Sequence, residues 1–338
     1  IEYLNLMKVL ITGSEGFIGS HLVEKLQKSG FKVKAFTQYH FQNYRGCLED
    51  VNKKTLDNIE IISGDLRDPF EVNLASKGCD YIINLAALIG IPYSFKAPKN
   101  YVDTNIMGTL NILEAAKKNN LKKIILTSTS EVYGTAQKIP MQENHPLNAQ
   151  SPYAATKISS DFLGLSYFHS YNLPITILRP FNTFGPRQSA RAIIPTLITQ
   201  ILSNKKILKV GNIKPRRDLT FVEDTTDALL LALKSKKNLT GEILNIGSEY
   251  DISVEEILNI LKTDFNFDFE IKIDKKRIRP IKSEVNRLLS SSKKFKKITG
   301  WKPIYSDKKK FKIALSKTIE WFKKEDNLKL YKPNEYNL

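Results

Sequence analysis

The sequence has little of what marks several protein classes. Only two cysteines, Cys47 and Cys79, occur in 338 residues. They show no metal-ligand spacing, and secreted chains of this size more often carry paired cysteines. Cys79, inside "KGCDYIINLAA", reads as a small core residue. No stretch approaches the ~18 consecutive apolar residues of a membrane span. The start, "IEYLNLMKVLITG", lacks a basic region followed by an apolar stretch and cleavage site. The expected setting is cytoplasmic, with no membrane partner. Acidic residues are also scarce, 35 against 52 Lys and Arg, for a formal net charge of +17. Such an excess attracts nucleic acid, membranes or anionic small molecules. The basic clusters near the end, "SSKKFKKITG" and "DKKKFK", lack interleaved aromatics or a nucleic-acid motif, so a phosphate-bearing small molecule is the expected partner and nucleic acid is not.

What remains is an ordinary globular composition, 41% hydrophobic with 16 Gly and 14 Pro, in a chain without repeats or low-complexity segments. Residues 1–6, before Met7, are set aside. Strand-length apolar runs ("KVLIT", "KVKAF", "IEIISGD", "DYIINLAA", "KKIILTS", "PITILRP") alternate with helical patterns, among them 18–29, 102–118 and 153–171. Near-continuous apolar strands separated by helices predict an α/β fold with a doubly wound parallel sheet covered on both faces. After Pro180 the pattern changes: 181–219 reads as loop and helix, "LTFVEDTTDALLLAL" as a helix over the sheet, and "GEILNIG" as a further strand. The expected division is a Rossmann-type domain from 7–180 plus about 219–246, and a smaller mixed α/β substrate-binding lobe from 181–218 plus 247–330.

"LITGSEGFIGSHLVEKL" places Gly13, Gly16 and Gly19 between the first strand and the first helix. Glycines there permit a tight turn, let backbone N–H groups approach a pyrophosphate, and turn a helix N-terminus toward the anion. The pattern predicts a dinucleotide site, with Phe17 and Ile18 in the same turn. The spacing is G-x-x-G-x-x-G rather than G-x-G-x-x-G. An acid some 20 residues on would accept from the ribose 2′-hydroxyl of NAD. "KVKAFTQYH" offers none, and Arg45 is a candidate partner for a 2′-phosphate, so NAD and NADP both stay open.

From that loop onward the chain resembles the extended short-chain dehydrogenase/reductase family along nearly its whole length: "SGDLRD", "NLAAL", "STSEVYG", "SPYAATK", "RPFNTFGPRQ", "RRDLTFVED" and "RIRPIKSEVNRLL" follow in order. The resemblance implies that Asp65 and Leu66 lie near the adenine and Ala86 and Ala87 beside the cofactor. It also implies that Tyr153 and Lys157 are the catalytic pair, with Lys157 on the nicotinamide ribose. Four residues apart, they share a helix face. An ammonium beside a phenol favours the phenolate and lowers its pKa from about 10 toward neutrality.

"STSEVYG" resembles the corresponding segment of GDP-mannose 4,6-dehydratases. Removing water across carbons 5 and 6 of a hexose needs a base for the carbon 5 proton, which simple epimerases do not. The resemblance implies Glu131 in that role, acting first as base and then as acid, with Thr129 on the 4-hydroxyl. Ser130 stands where dTDP-glucose 4,6-dehydratases carry Asp. Asn182, Arg187, Arg217 and Arg279 fall in segments resembling nucleotide-sugar contacts, and guanidinium forks suit diphosphate oxygens. "AALIGIPYS", "GPRQSARAIIPT" and "RPIKSEV" resemble bacterial 4,6-dehydratases acting on nucleotide-linked N-acetylglucosamine in the legionaminic-acid route, with GDP favoured over UDP. The cofactor would be retained and recycled within one turnover. A 4-epimerase of the same family and a non-catalytic nucleotide-binding protein are the competing readings. The 102–118 helix carries Ile106, Leu110, Leu113 and Lys117 at helical spacing. With the 153–171 helix it resembles the pair that forms a four-helix dimer interface, implying a homodimer or a dimer of dimers.

Overall fold

Side chains alternate along the first strand, β1 (Lys8–Thr12). Val9 and Ile11 enter one apolar cluster and Leu10 another. That alternation is the period of an extended strand with both faces covered. The computed structural model describes residues 7–278 and 284–332, so residues 1–6 and Arg279 lie outside the described residues. Around β1 run β2 (Lys32–Gln38), β3 (Glu60–Gly64), β4 (Tyr81–Asn84), β5 (Lys123–Thr127) and β6 (Ile175–Pro180), joined by β10 (Ile243–Ile246). They form a seven-stranded sheet in the order β10-β6-β5-β4-β1-β2-β3. Every pairing is parallel, with Ile11 of β1 between Ala35 of β2 and Ile83 of β4.

This is the Rossmann arrangement expected from the sequence. Strand order reverses between β1 and β4, and the crevice at the carboxyl ends of these strands is where such sheets bind ligands. Leu22, Val23 and Leu26 of the first helix (Phe17–Lys28) and Ala228, Leu229 and Ala232 of the helix Val222–Lys234 cover one face. On the other face lie Ile112 and Leu113, together with Cys79, a core residue as expected.

Between 181 and 219, where loop and helix were expected, three short strands appear: β7 (Asn182–Phe184), β8 (Ile207–Val210) and β9 (Arg216–Phe221). Runs this short carry too few alternations to stand out, and β9 opens on two arginines. β9 pairs with β7, with β11 (Asp251–Ser253) and with β13 (Arg287–Leu288), while β8 pairs with β12 (Glu270–Ile273). Asp218 on β9 is fully buried and ties this second sheet together. Its carboxylate accepts from the backbone N–H of Ser248, Glu249 and Ser290 and from both serine hydroxyls.

The 102–118 helix is not continuous. Pro98–Tyr101 is α-helical, Val102–Met107 widens to a π-helical turn, and Gly108–Lys118 resumes the α-helix. Asn105 in the wide turn explains it. Its amide exchanges hydrogen bonds with the Leu88 backbone (2.8 and 3.0 Å) and donates to Thr156 Oγ1 (3.0 Å). Such bulges cluster at functional sites. The altered register turns Leu113 into the core, and Val102 and Met107 are exposed instead.

Candidate active site

A cavity of about 990 Å³ opens at the carboxyl ends of β1, β4 and β5. Gly13, Gly16, Phe17, Ile18, Gly19, Asp65, Leu66, Ala86, Ala87, Thr129, Ser130, Glu131, Tyr153, Lys157, Asn182 and Arg187 all line it. Sixteen of the eighteen residues singled out in the sequence therefore come together.

The glycine loop fits a dinucleotide. Gly13 has φ +66°, and a Cβ there would lie 2.8 Å from the Ala86 backbone, so only glycine lets β1 and β4 end this close together. A Cβ on Gly19 would meet the Gly13 carbonyl at 2.1 Å. Gly16 caps the first helix without a side-chain hydrogen bond, which leaves the first-turn N–H groups facing the cavity as donors for a pyrophosphate.

Asp65 leaves the end of β3 and forms a two-point ion pair with Arg67, whose guanidinium holds the carboxyl below its usual range. The sequence reading missed Glu15. From within the glycine loop its carboxylate accepts from the Gln38 N–H (3.1 Å), at the end of β2 where the expected acid is lacking, and burial raises its pKa. Glu15 stands inside "GSEG", ahead of the position beyond the glycines where the pattern places the acid. Arg45 is not in the cavity wall, although its neighbours Tyr44 and Gly46 are.

The reacting end is built by β5 and the helix Pro152–Tyr171. Ser151 caps that helix, accepting from the Ala154 N–H at 3.1 Å, with proline at the first helical position. This sets Tyr153 and Lys157, both buried, on the face toward β5. Thr129 caps the short turn Ser130–Tyr133 by accepting from the Glu131 N–H (3.2 Å). Burial drives the Tyr153 phenol well above its ordinary pKa, a hydrogen bond with Thr129 pulls it down, and the Glu131 charge raises it. The phenol was expected to be lowered by Lys157, and that expectation is corrected. Lys157 donates to the Thr127 carbonyl at 2.6 Å, and its own pKa is pushed down to about 8 by burial. Desolvation is the largest influence on both groups because both sit in the interior.

The arginines divide. Arg187 reaches the cavity, but its guanidinium is engaged within the protein: Nη1 donates to Glu24 (2.8 Å) and Nη2 to the Asp50 carbonyl (3.0 Å). Arg217 is not in the cavity wall and donates to the Arg216 carbonyl (3.0 Å) and toward Glu284 (3.5 Å). Asn182 presents a buried Oδ1 that has no partner among the described residues. Lining residues not singled out in the sequence include Tyr93, Thr104, Arg191 and Tyr331. Tyr93 and Arg191 fall inside the segments "AALIGIPYS" and "GPRQSARAIIPT", which as segments did not mark these residues, while Thr104 and Tyr331 lie between motifs.

The sequence pattern that defines the family described as GDP-mannose 4,6 dehydratase matches residues 10–312. The chain belongs to this family. The human dTDP-D-glucose 4,6-dehydratase is 30% identical over 329 residues, covering 94% of this chain and 90% of that protein. Among solved structures, the UDP-N-acetylglucosamine 4-epimerase of Methanobrevibacter ruminantium, in complex with UDP-N-acetylmuramic acid, superposes with a TM-score of 0.82 at 31% identity, covering 94% of this chain and 98% of that one. DesIV, the dTDP-glucose 4,6-dehydratase of Streptomyces venezuelae with NAD bound, gives 0.84 at 27% identity over 97% and 99%. This GDP-mannose 4,6-dehydratase family member is thus similar both to dehydratases and to epimerases of nucleotide sugars. No helix among its described residues is long and apolar enough to cross a membrane.

Proposed function

We propose that the protein is a nucleotide-sugar 4,6-dehydratase acting on nucleotide-linked N-acetylglucosamine, GDP-linked in preference to UDP-linked, in the legionaminic-acid route. The observation that carries this reading is Glu131: its carboxylate lines the same cavity as Tyr153 and acts electrostatically on the phenol. An epimerase, which is the second reading on the same scaffold, has no use for that base. The cofactor is NAD, as in the DesIV complex. The Glu15 carboxylate at the end of β2 disfavours a 2′-phosphate, because like charges brought together cost affinity. A homodimer or dimer of dimers through the 102–118 and 153–171 helices follows from the same resemblance, and Val102, Met107, Phe162 and Tyr171 on these helices are exposed.

A bound NAD would supply the hydride chemistry, as acceptor from carbon 4 of the sugar and donor to carbon 6. The first-turn N–H groups at Phe17, Ile18 and Gly19 would hold its pyrophosphate, and Lys157 its nicotinamide ribose. Thr129 orients the 4-hydroxyl, and Tyr153 removes the proton from it as phenolate, a form that the positive charge of a bound oxidised nicotinamide would favour against burial. The ketone at carbon 4 acidifies carbon 5. Glu131 takes that proton and donates it to the departing 6-hydroxyl, which leaves as water; as hydride reaches carbon 6, carbon 5 takes a proton from solvent and Tyr153 releases to solvent the one it took from the 4-hydroxyl. Ser130, buried beside it, supplies no second acid, so one carboxyl group serves both steps. Incubation with GDP- and UDP-N-acetylglucosamine should give a product lighter by one water. An unchanged mass with inversion at carbon 4 would establish the epimerase instead.

A further inference from the structure

Beneath the reacting residues lies a buried ionic network that the proposed chemistry does not use. Asp161 follows Lys157 by one helical turn and so shares its face. Its carboxylate receives the guanidinium of Arg179 on β6 at 2.9 and 3.0 Å, and both side chains are only 2% exposed. Arg179 continues in the opposite direction. Its Nη1 donates to the Tyr133 hydroxyl (3.0 Å) and its guanidinium lies 5.0 Å from the centre of the Tyr133 ring. Tyr133 closes the turn that bears Glu131, and its own hydroxyl donates to Asn245 Oδ1 at 2.7 Å.

We propose that the Asp161–Arg179 pair is a positioning unit that sets the charge of Lys157 and fixes the turn of Glu131 against the helix of Tyr153. A buried pair of this kind is weak evidence of a contribution to stability, because desolvation offsets attraction. Its placement is the stronger argument: one guanidinium touches both segments that carry the chemistry. Among the charged and titratable groups of this region, Asp161 acts on Lys157, Arg179 on β6 pairs with Asp161 and Tyr133, and Glu131 on the turn after β5 and Tyr101 act on Tyr153. Asp161, one turn along the same helix, favours the ammonium of Lys157 against the burial that opposes it.

The inference rests on the oxidation at carbon 4, which dehydratase and epimerase share, so its test survives failure of the dehydratase reading. That step is read as reduced nicotinamide formed in one turnover by excess holoenzyme, as a function of pH. Asp161→Asn removes the anion and leaves the Arg179 cation, so Lys157 should lose its proton earlier and the alkaline limb should move to lower pH by about one unit. Arg179→Gln takes away the cation that holds the buried Asp161 ionised, so it should move the same limb to lower pH as well, whereas Arg179→Lys, which keeps a cation there, should move it back. A downward shift in both neutralising variants with recovery in Arg179→Lys supports the proposal. No shift, or no recovery in Arg179→Lys, overturns it, because simple loosening of the fold would not be reversed by restoring the charge. Should any of these variants fail to fold, Tyr133→Phe decides: it deletes one hydroxyl and unhooks the turn. Oxidation should then be kept while the step after it slows about tenfold, and equal loss in both, or no loss in either, overturns the proposal.

Discussion

Arg187 and Glu24, far apart in sequence, form a 2.8 Å ion pair that fastens the loop after β7 to the first helix. Arg187 adopts φ +68°, a left-handed conformation that few residues other than glycine accept. Its Nη2 also donates to the Asp50 carbonyl. These engagements suit an arginine that braces the cavity wall, although its buried Nε has no partner among the described residues.

Arg187→Met should therefore lower stability by about 2 kcal/mol by leaving the Glu24 carboxylate unpaired, seen as a fall in Tm of a few degrees. Affinity for nucleotide sugar should change less than threefold. A hundredfold loss of substrate affinity with an unchanged Tm would return Arg187 to the diphosphate.

His21 shares this corner. Its Nε2 lies 3.1 Å from the Pro186 carbonyl, and burial, reinforced by the Arg187 charge, pushes its pKa down to about 4. In the unfolded chain an imidazole titrates near 6.5. Between these values the unfolded state holds the proton and the folded state does not, so this contribution to stability is complete above about pH 6.5 and is lost as pH falls toward 4. Denaturant unfolding across that window should show the decline, and His21→Phe should flatten it. An equally steep decline in the variant would assign it to other groups.

Glu15 makes a test of cofactor choice. Glu15→Ala removes the carboxylate beside Gln38, and the preference for NAD over NADP should shrink by about tenfold when the affinity of each is measured by equilibrium dialysis. An undiminished preference would mean that selection lies elsewhere along the loop after β2.

Much of this was legible in the sequence because it depends on local patterning. The seven long apolar runs, the glycine loop and the four-residue spacing of Tyr153 and Lys157 are features of neighbouring residues, and each fell where expected. What escaped depends on contacts distant in sequence. Nothing near Glu15 announces that its carboxylate reaches Gln38. The pairing of Arg187 with Glu24 spans most of the Rossmann domain, and the π-helical turn at Asn105 is fixed by Leu88 and Thr156. The state of Tyr153 was misjudged for the same reason. Proximity to a lysine is visible in a heptad, whereas the burial that dominates both groups is a property of the whole fold.

Tyr153→Phe keeps the ring packed edge-on against Tyr101, with ring centres 6.3 Å apart, and removes only the oxygen. Cofactor should bind as before while turnover falls by a factor of about 100 or more, the range for losing a general base. Near-normal turnover would move the base to another group.

Glu131→Gln separates the two halves of the proposed reaction. The amide keeps the shape of the carboxylate and the Thr129 cap on its backbone N–H, but it cannot accept the carbon 5 proton. Oxidation at carbon 4 should proceed and elimination should not. Mixed with substrate, the variant should accumulate reduced cofactor, read by absorbance at the nicotinamide band, and release little 4-keto-6-deoxy product. The wild-type protein should hold little reduced cofactor, because hydride is returned to carbon 6 in the same turnover. An unfavourable oxidation equilibrium would make the accumulation small, so exchange of solvent deuterium into carbon 5 is the companion measurement. Loss of exchange in Glu131→Gln, with Tyr153 intact, assigns that proton to Glu131. Exchange and product formation at the wild-type rate would make Glu131 a structural residue and leave the epimerase as the better reading of this cavity.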